Sequence, residues 1–159
     1  QFKQTRSFVT SGGLGTMGFC IPAAIGAKLG RPDKTVIGIV GDGGVQMNIQ
    51  ELGTIMQSQI DVKIIILNNQ FLGMVRQWQE LYFDKRYAST VMANPNYQKL
   101  AEAYGIGSVK VSERAQLQVA MKKMFDHNGA YILEVMVGQE NNIFPMISPG
   151  TSVSEMRLS

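Results

Sequence analysis

The chain has 159 residues, of which 45% are hydrophobic and 17% are charged, and it carries a formal net charge of +3. This length and composition are typical of one globular domain with a substantial core, and they argue against disorder. No basic stripe interleaved with aromatic residues is present and no apolar stretch reaches the length of a transmembrane helix, so we expect neither nucleic-acid binding nor membrane insertion. Because the chain begins with Gln1 rather than Met, we expect it to be a piece of a longer protein.

The first segment contains a glycine-rich loop between two predicted elements. A short strand is predicted at Phe8 and Val9, and an apolar helix is predicted over residues 19–29. Residues 13–18 match the G-x-G-x-x-G pattern of a Rossmann dinucleotide-binding loop, and Asp42 follows at about the distance of a ribose-binding acid. However, the preceding strand is short and polar for a central parallel strand. An NAD(P)-dependent oxidoreductase is therefore kept as an alternative.

A second glycine-rich turn follows the next predicted strand. The apolar run at residues 36–40 is rich in β-branched residues and predicts a buried strand, which leads into Gly-Asp-Gly-Gly at residues 41–44 and then into a helix. Backbone N–H groups at the start of a helix favour an anion, but Asp42 would repel a bare phosphate. A divalent cation such as Mg²⁺ removes this conflict, because it binds carboxylate and phosphate oxygens alike.

Another apolar strand, predicted at residues 64–67, ends at Asn68 and Asn69. If the two strands are parallel neighbours, their carboxyl ends bring the Asn pair close to Asp42, at the edge where open α/β sheets bind ligands. The residues therefore predict a metal–diphosphate site. The alternative is that both segments are ordinary turns, since short motifs give false matches.

The rest of the chain alternates between predicted helices and strands. Helices are predicted over residues 46–59, from about Gly73, from Pro95 with Asn94 as N-cap, and over residues 113–127, and strands are predicted at residues 108–111 and 131–137. This alternation predicts an α/β fold, a three-layer sandwich in which helices cover both faces of a largely parallel sheet of five or six strands. We expect a compact body over residues 1–138 and a loose tail over residues 139–159.

The spacing of the two central motifs resembles a known cofactor motif. Gly-Asp-Gly at residues 41–43, then 24 residues, then Asn68 and Asn69 is similar to the thiamine diphosphate (ThDP) motif of ThDP-dependent enzymes. Flanking segments narrow the resemblance to the catalytic subunit of acetohydroxyacid synthase (acetolactate synthase), and these lie at residues 11–18, 21–27, 47–52, 67–78 and 144–150. The resemblance implies the diphosphate- and Mg²⁺-binding domain, the last of three, with the pyrimidine-binding and FAD-binding domains absent from this chain.

The same resemblance implies an activity for the full-length protein. Acetolactate synthase is a transferase that joins pyruvate to pyruvate or 2-ketobutyrate in branched-chain amino-acid biosynthesis, towards valine, leucine and isoleucine. The implied cofactors are ThDP and Mg²⁺, with FAD bound mainly by a missing domain. The implied assembly is a homodimer or tetramer with a small regulatory subunit, in the cytoplasm of a bacterium or the plastid of a plant.

The resemblance also assigns roles to individual residues. The side chains of Asp42 and Asn69 and the carbonyl of Phe71 would bind Mg²⁺, and the backbone N–H groups of Gly43 and Gly44 would contact the diphosphate.

Further roles follow around the rest of the cofactor. Gly15 and Met17 would contact the aminopyrimidine ring of ThDP, and Gly73, Met74 and Val75 would lie along the cofactor. Trp78, together with Met74, would line the channel of the second keto acid. Judged without the resemblance, the two methionines could be core residues and Trp78 could lie on the apolar face of a helix.

No proton-transfer residue is evident in this chain. His127 is predicted to be structural, and Arg76 is either a solvated charge or a contact for a substrate carboxylate. The resemblance places the essential Glu on the missing pyrimidine-binding domain of a partner subunit, so the isolated chain is predicted to be inactive. Two further alternatives are another ThDP-dependent decarboxylase or carboligase and a ThDP-binding module without catalysis.

Overall fold

A single sheet of four parallel strands forms the centre of the protein, in a computed structural model that describes residues 5–139 and 141–158. The strands are β1 (Val36–Gly41), β2 (Val62–Asn68), β3 (Gly107–Val111) and β4 (Tyr131–Met136), in the spatial order β1-β2-β4-β3. β2 and β4 occupy the centre and consist mainly of buried β-branched and aliphatic residues, as a parallel sheet covered on both faces requires.

Six α-helices connect and cover these strands within the described residues. They are α1 (Cys20–Gly30), α2 (Asp42–Met47), α3 (Glu51–Ser58), α4 (Gly73–Tyr82), α5 (Tyr97–Ala103) and α6 (Leu117–Asp126). One hydrophobic core joins the first three helices and α5 to one face of the sheet, and a second core joins α6 to the other face. The predicted α/β fold with helices on both faces is therefore confirmed.

The predicted number of strands was too high. The structure has four strands in its described residues, and none forms at Phe8 and Val9. These two side chains are 59% and 61% exposed, so little burial stabilises a strand there. Two adjacent apolar residues are too weak a pattern to specify a strand.

The helix predicted over residues 46–59 is instead two helices, α2 and α3, separated by a turn at residues 48–50. Asn48 ends α2 with φ −138° and ψ 37°, and its side-chain Nδ2 donates to the carbonyl of Gly18 at 2.8 Å. This long-range bond holds Asn48 outside helical geometry, and a helical periodicity in the sequence does not reveal it.

Two predicted helix starts were also wrong. The cap of α5 is Asn96, whose side chain accepts from the N–H of Lys99, so Asn94 and Pro95 precede the helix. The segment predicted as a helix over residues 113–127 begins with a 3₁₀ turn, Arg114–Gln116, and α6 follows and ends at Asp126. Its capping box is formed by Glu113 and Gln116.

The C-terminal segment packs against α4. Gln77 donates to the carbonyl of Ile143 at 3.0 Å and accepts from its N–H at 2.8 Å, and the hydroxyl of Tyr82 donates to Ser148 at 2.8 Å. The division into a body and a tail at residue 138 stays a prediction. Among the described residues, no helix has the length and apolar character needed to cross a membrane.

Candidate metal and diphosphate site

The carboxyl end of β1 places a buried carboxylate at the edge of the sheet. Asp42 follows the strand directly as the first residue of α2 and is 1% exposed. Its Oδ2 atom accepts from Asn94 Nδ2 at 2.6 Å and from the N–H of Gln70 at 3.1 Å. Within the described residues no hydrogen bond reaches its Oδ1 atom, so one carboxylate oxygen stays available to a ligand.

The two asparagines at the end of β2 have different environments. Asn68 is 3% exposed, and its Oδ1 atom accepts from the N–H of Gln70 and from Asn94 Nδ2, both at 3.1 Å. Asn69 is half-buried, and its Oδ1 atom accepts from the N–H of Phe71 at 3.1 Å. The Oδ1 atom of Asn68 thus accepts two hydrogen bonds inside the protein, whereas that of Asn69 keeps a second lone pair.

The chain bends immediately after this Asn pair. Gln70 has φ 59°, in the left-handed region that non-glycine residues rarely adopt. Backbone bonds to a neighbouring segment hold the bend, since the N–H of Leu72 donates to Thr90 and the N–H of Met92 donates to Gln70, each at 2.8 Å. This arrangement places Asn69 and Phe71 on either side of a turn that is itself bonded to Asp42.

The available oxygens fit a hard divalent cation. In the described residues no three His, Cys, Asp or Glu side chains converge, so the donor set is one carboxylate with neutral oxygens. These are Oδ1 of Asp42, the free lone pair of Asn69 and the carbonyl of Phe71, which receives no hydrogen bond from the described residues. Oxygen atoms of this kind are the ligands that Mg²⁺ takes in proteins, with phosphate oxygens and water completing its shell.

Gly43, next to Asp42, is buried, and side chains pack directly against its backbone. A Cβ atom added at Gly43 would lie 2.8 Å from Cε of Met17 and 3.0 Å from side-chain atoms of Leu72 and Met92. These flexible side chains therefore touch bare backbone at the start of α2. A Cβ atom at Gly44 would lie 2.9 Å from Val40, so close packing on β1 accounts for the second glycine.

Apolar side chains surround this edge with unusual exposure. Met17 is 46% exposed, Met74 and Val75 are each 47% exposed, and Trp78 is 38% exposed. The interpretation of the two methionines as core residues is therefore wrong.

The contacts bring Met17, Asp42, Gly43, Asn69, Phe71 and Gly73 together around one sheet edge. Gly15 has φ 61° in an exposed turn, and Trp78 lies against Tyr82 with 5.3 Å between ring centroids.

The sequence did not reveal the polar residues that support the site. Asn94, predicted as a helix cap, donates to both Asp42 and Asn68 and accepts from Gln46 at 2.6 Å and from the hydroxyl of Tyr97 at 3.2 Å. Burial, with the nearby charge of Asp42, raises the pKa of Tyr97 to about 12, so its hydroxyl remains a donor at neutral pH. The sequence did contain a signal, since asparagines lie on both sides of Pro95 and α5 needs only one of them as its cap. The other asparagine could therefore have been assigned to the site.

Comparisons with known proteins identify the family of this chain. Residues 1–135 match the family described as thiamine pyrophosphate enzyme, C-terminal TPP binding domain. The chain belongs to this family. Thiamine pyrophosphate is another name for ThDP, so the predicted cofactor class is confirmed.

Relatives of this TPP-binding domain include two acetolactate synthases. The chain is 47% identical to acetolactate synthase isozyme 2 large subunit of Escherichia coli (strain K12), over 94% of the chain and 28% of the relative. It is 43% identical to acetolactate synthase 2, chloroplastic, of Nicotiana tabacum, over 98% of the chain and 25% of the relative. The chain therefore spans about a quarter of the length of these curated relatives.

A solved structure has the same fold. The ThDP-dependent 4-hydroxybenzoylformate decarboxylase of Rhodococcus jostii RHA1 matches with a TM-score of 0.73 and 32% identity, over 78% of this chain and 24% of that chain. The dinucleotide-binding alternative loses its support. The glycines at residues 13–18 follow no strand in the described part of the chain, and the family match assigns the fold to TPP enzymes.

Arg76 and His127 of the TPP-binding domain both make contacts that belong to the fold. Arg76 is 7% exposed, pairs with Glu80 at 3.3 Å and lies 5.5 and 4.8 Å from the ring centroids of Phe71 and Tyr87. It is therefore not a solvated charge. His127 lies at the opposite edge of the sheet, with its ring 5.0 Å from that of Tyr131, which agrees with the structural role predicted for it.

Proposed function

We propose that this chain is the Mg²⁺–ThDP diphosphate-binding domain of an acetolactate synthase catalytic subunit. The observation that carries the proposal is the convergence of Asp42 with the turn after Asn69, because it leaves three oxygen donors free at one edge of the sheet. Asp42, Asn69 and the Phe71 carbonyl would hold Mg²⁺, and the backbone of Gly43 and Gly44 would hold the diphosphate. Acetolactate synthase is favoured over another ThDP decarboxylase because identity reaches 47% with the former and 32% with the solved decarboxylase.

The chain's own residues would bind and orient the cofactor. When bound, ThDP supplies the electron sink for decarboxylation of a 2-keto acid. Gly15 and Met17 would contact its pyrimidine ring, and Gly73, Met74 and Val75 would cover it, since exposed apolar groups here would exclude water once a ligand is in place. Trp78 and Met74 would form one wall of the channel for the second keto acid.

The remainder of the activity is assigned to the longer protein. Pyruvate and 2-ketobutyrate would be its substrates, FAD would bind mainly to a domain outside this chain, and the subunit would form a homodimer or tetramer with a regulatory subunit. Its location would be the cytoplasm of a bacterium or a plastid. The proton-transfer Glu would come from the pyrimidine-binding domain of a partner subunit, so the isolated chain should form no acetolactate.

A calorimetric titration of the intact protein with ThDP tests the proposal. We expect saturable ThDP binding with Mg²⁺ present, strong loss of affinity after chelation of the metal, and no comparable binding of NAD⁺ or NADP⁺. The control is thiamine without its diphosphate, which should gain little from Mg²⁺ because it has no phosphate oxygens to share with the metal. ThDP affinity that does not depend on Mg²⁺ would contradict the assignment of the metal site.

A further inference from the structure

A buried carboxylate lies one strand away from the predicted metal ligands. Glu134 is in the middle of β4 and is 2% exposed, between β2 and β3. Burying a carboxylate among aliphatic side chains is costly unless its oxygens are paired, and an aliphatic residue would fill the position at lower cost. Packing alone therefore does not explain a carboxylate at position 134.

Each oxygen of this carboxylate has a defined partner. Oε1 accepts from Asn68 Nδ2 at 2.7 Å, and Oε2 accepts from Gln98 Nε2 at 2.9 Å. The ammonium group of Lys110 lies 3.5 Å from Oε1, at the exposed side of the sheet. Glu134 is thereby held in one position, and its shortest contact is with the residue that ends β2.

This contact determines which way the Asn68 amide faces. An ionised carboxylate only accepts hydrogen bonds, so the amide nitrogen of Asn68 must face Glu134 and its oxygen must face away. The Oδ1 atom then receives the N–H of Gln70 and the side-chain nitrogen of Asn94. If the Asn68 amide were reversed, its NH₂ group would face the N–H of Gln70 and the NH₂ group of Asn94, and donors would face donors.

The same two donors also bind Asp42. The N–H of Gln70 is shared between Oδ1 of Asn68 and Oδ2 of Asp42, each at 3.1 Å, and the side chain of Asn94 is shared in the same way. Gln70 is the left-handed residue of the turn, and it lies between Asn69 and Phe71. A fixed Asn68 amide therefore fixes the turn that presents two of the three proposed metal oxygens.

We propose that Glu134 is a positioning residue for the divalent cation, acting through Asn68 on the turn at Gln70. This inference rests on the proposed function, since it assigns the metal to Asp42, Asn69 and Phe71. Glu134 touches neither metal nor cofactor. Its role is to keep the ligand oxygens arranged before the cation binds.

The test is the Mg²⁺ dependence of ThDP binding, measured by calorimetry on the intact protein. Glu134→Leu should raise the Mg²⁺ concentration for half-maximal ThDP binding by about 10- to 100-fold, as loss of an outer-shell partner typically does. ThDP affinity should recover at saturating Mg²⁺. Glu134→Gln should remain within a few-fold of the original protein, because its Oε1 atom can still accept from Asn68.

A matched control lies at the amino end of the neighbouring strand β2. Lys63→Met removes a buried polar group of β2 that is 3% exposed and distant from the site, so it should lower the melting temperature without changing the Mg²⁺ requirement. An unchanged Mg²⁺ requirement in a folded Glu134→Leu protein would overturn the inference. So would an equal change in the Lys63→Met protein.

A second variant covers the case in which Glu134→Leu does not fold. Asn68→Ala removes the link and leaves Gln98 on the carboxylate, and it should raise the Mg²⁺ requirement to a similar extent. When both variants fold, the double variant should be no weaker than the weaker single one, because both changes break one pathway. Normal Mg²⁺ affinity in Asn68→Ala would overturn the inference, whereas normal affinity in Asp42→Ala would overturn the proposed function itself.

Discussion

Strand β2 has a buried polar residue at each end, but the hydrogen-bond partners around these two residues differ. At the amino end, the ammonium group of Lys63 donates to Asp61 at 2.7 Å and to the carbonyls of His127 and Gly129. All three of its donors are used within this chain. At the carboxyl end, Asn68 is equally buried, but the neighbouring oxygens of Asp42, Asn69 and Phe71 are left without enough donors.

This difference separates polar burial for stability from polar burial for binding. A cluster whose donors and acceptors are all matched can only hold the fold together, because nothing remains to attract a ligand. A cluster that holds its supporting groups in place and leaves several oxygens free has the composition of a cation site. Parallel strands explain why the second kind lies at the carboxyl edge, where each strand leads into a turn.

The largest expected effect comes from replacing one residue at each edge of the sheet, Asp42 at the carboxyl edge and Lys63 at the amino edge. Asp42→Ala in the intact protein should abolish Mg²⁺-dependent ThDP binding while the fold survives, because it removes the only carboxylate of the donor set. Lys63→Met should lower the free energy of unfolding by about 1–3 kcal/mol, since the carbonyls of His127 and Gly129 lose their donor. Calorimetry and thermal melting measure the two effects. A folded Asp42→Ala protein with normal ThDP affinity would contradict the distinction between the two ends.

The sequence predicted the convergence of Asp42 with the Asn pair better than it predicted the polar groups that support them. Asp42 and the Asn pair were predictable because each directly ends a strand with a clear apolar pattern. Glu134 and Gln98 were not, because their partners come from distant parts of the chain, Asn68 being 66 residues from Glu134. Asn94 was misassigned for a related reason, since an asparagine before a proline also fits a helix cap.

The fold shows the same division between local and long-range information. Strands rich in β-branched residues and the apolar helix α1 could be predicted from periodicity alone. The break between α2 and α3 could not, because it depends on a bond from Asn48 to Gly18, 30 residues earlier in the chain. The proposal that Asn69, and not Asn68, binds the metal came from the family resemblance, and the structure adds the different environments of the two asparagines.

Helix α4 also has one side that is buried and bonded within the chain and one side that is left exposed. Substitution of Trp78, on the exposed side, should have an effect of intermediate size. Gln77 is 1% exposed and bonded to the C-terminal segment, whereas the adjacent Trp78 is 38% exposed. Because a large flat ring can favour a bulkier acceptor, Trp78→Leu in the intact protein should change the preference between 2-ketobutyrate and pyruvate, on the order of tenfold.

The ratio of the two products, measured with both acceptors present, gives this preference. Tyr82→Phe is the control, because it loses only the hydroxyl contact with Ser148 and should leave the ratio unchanged. If Trp78→Leu lowers the formation of both products equally, the indole ring is a structural element of α4 and not part of the channel.

The smallest expected effect concerns self-association, because the two faces of the sheet are not equally covered. The face under α1 is covered, but the β1 half of the opposite face leaves Ile37, Ile39 and Leu67 exposed by 42%, 62% and 40%. These three lie on one face, since β1 pairs with β2 in register and alternate residues share a side. Contiguous exposed apolar surface favours association, so the isolated chain should dimerise to a measurable extent.

A charge in the middle of this patch should weaken that association. Ile39→Asp places a carboxylate where two copies would meet, and it should raise the dissociation constant of the dimer by roughly 3- to 10-fold, as the loss of part of one buried aliphatic side chain would. Sedimentation of the 159-residue chain over a range of concentrations measures the constant. Val119→Asp is the control, because Val119 is 73% exposed on α6, away from the β1 half of the sheet. Equal weakening by both variants would show that added charge, and not the uncovered face of β1, controls the association.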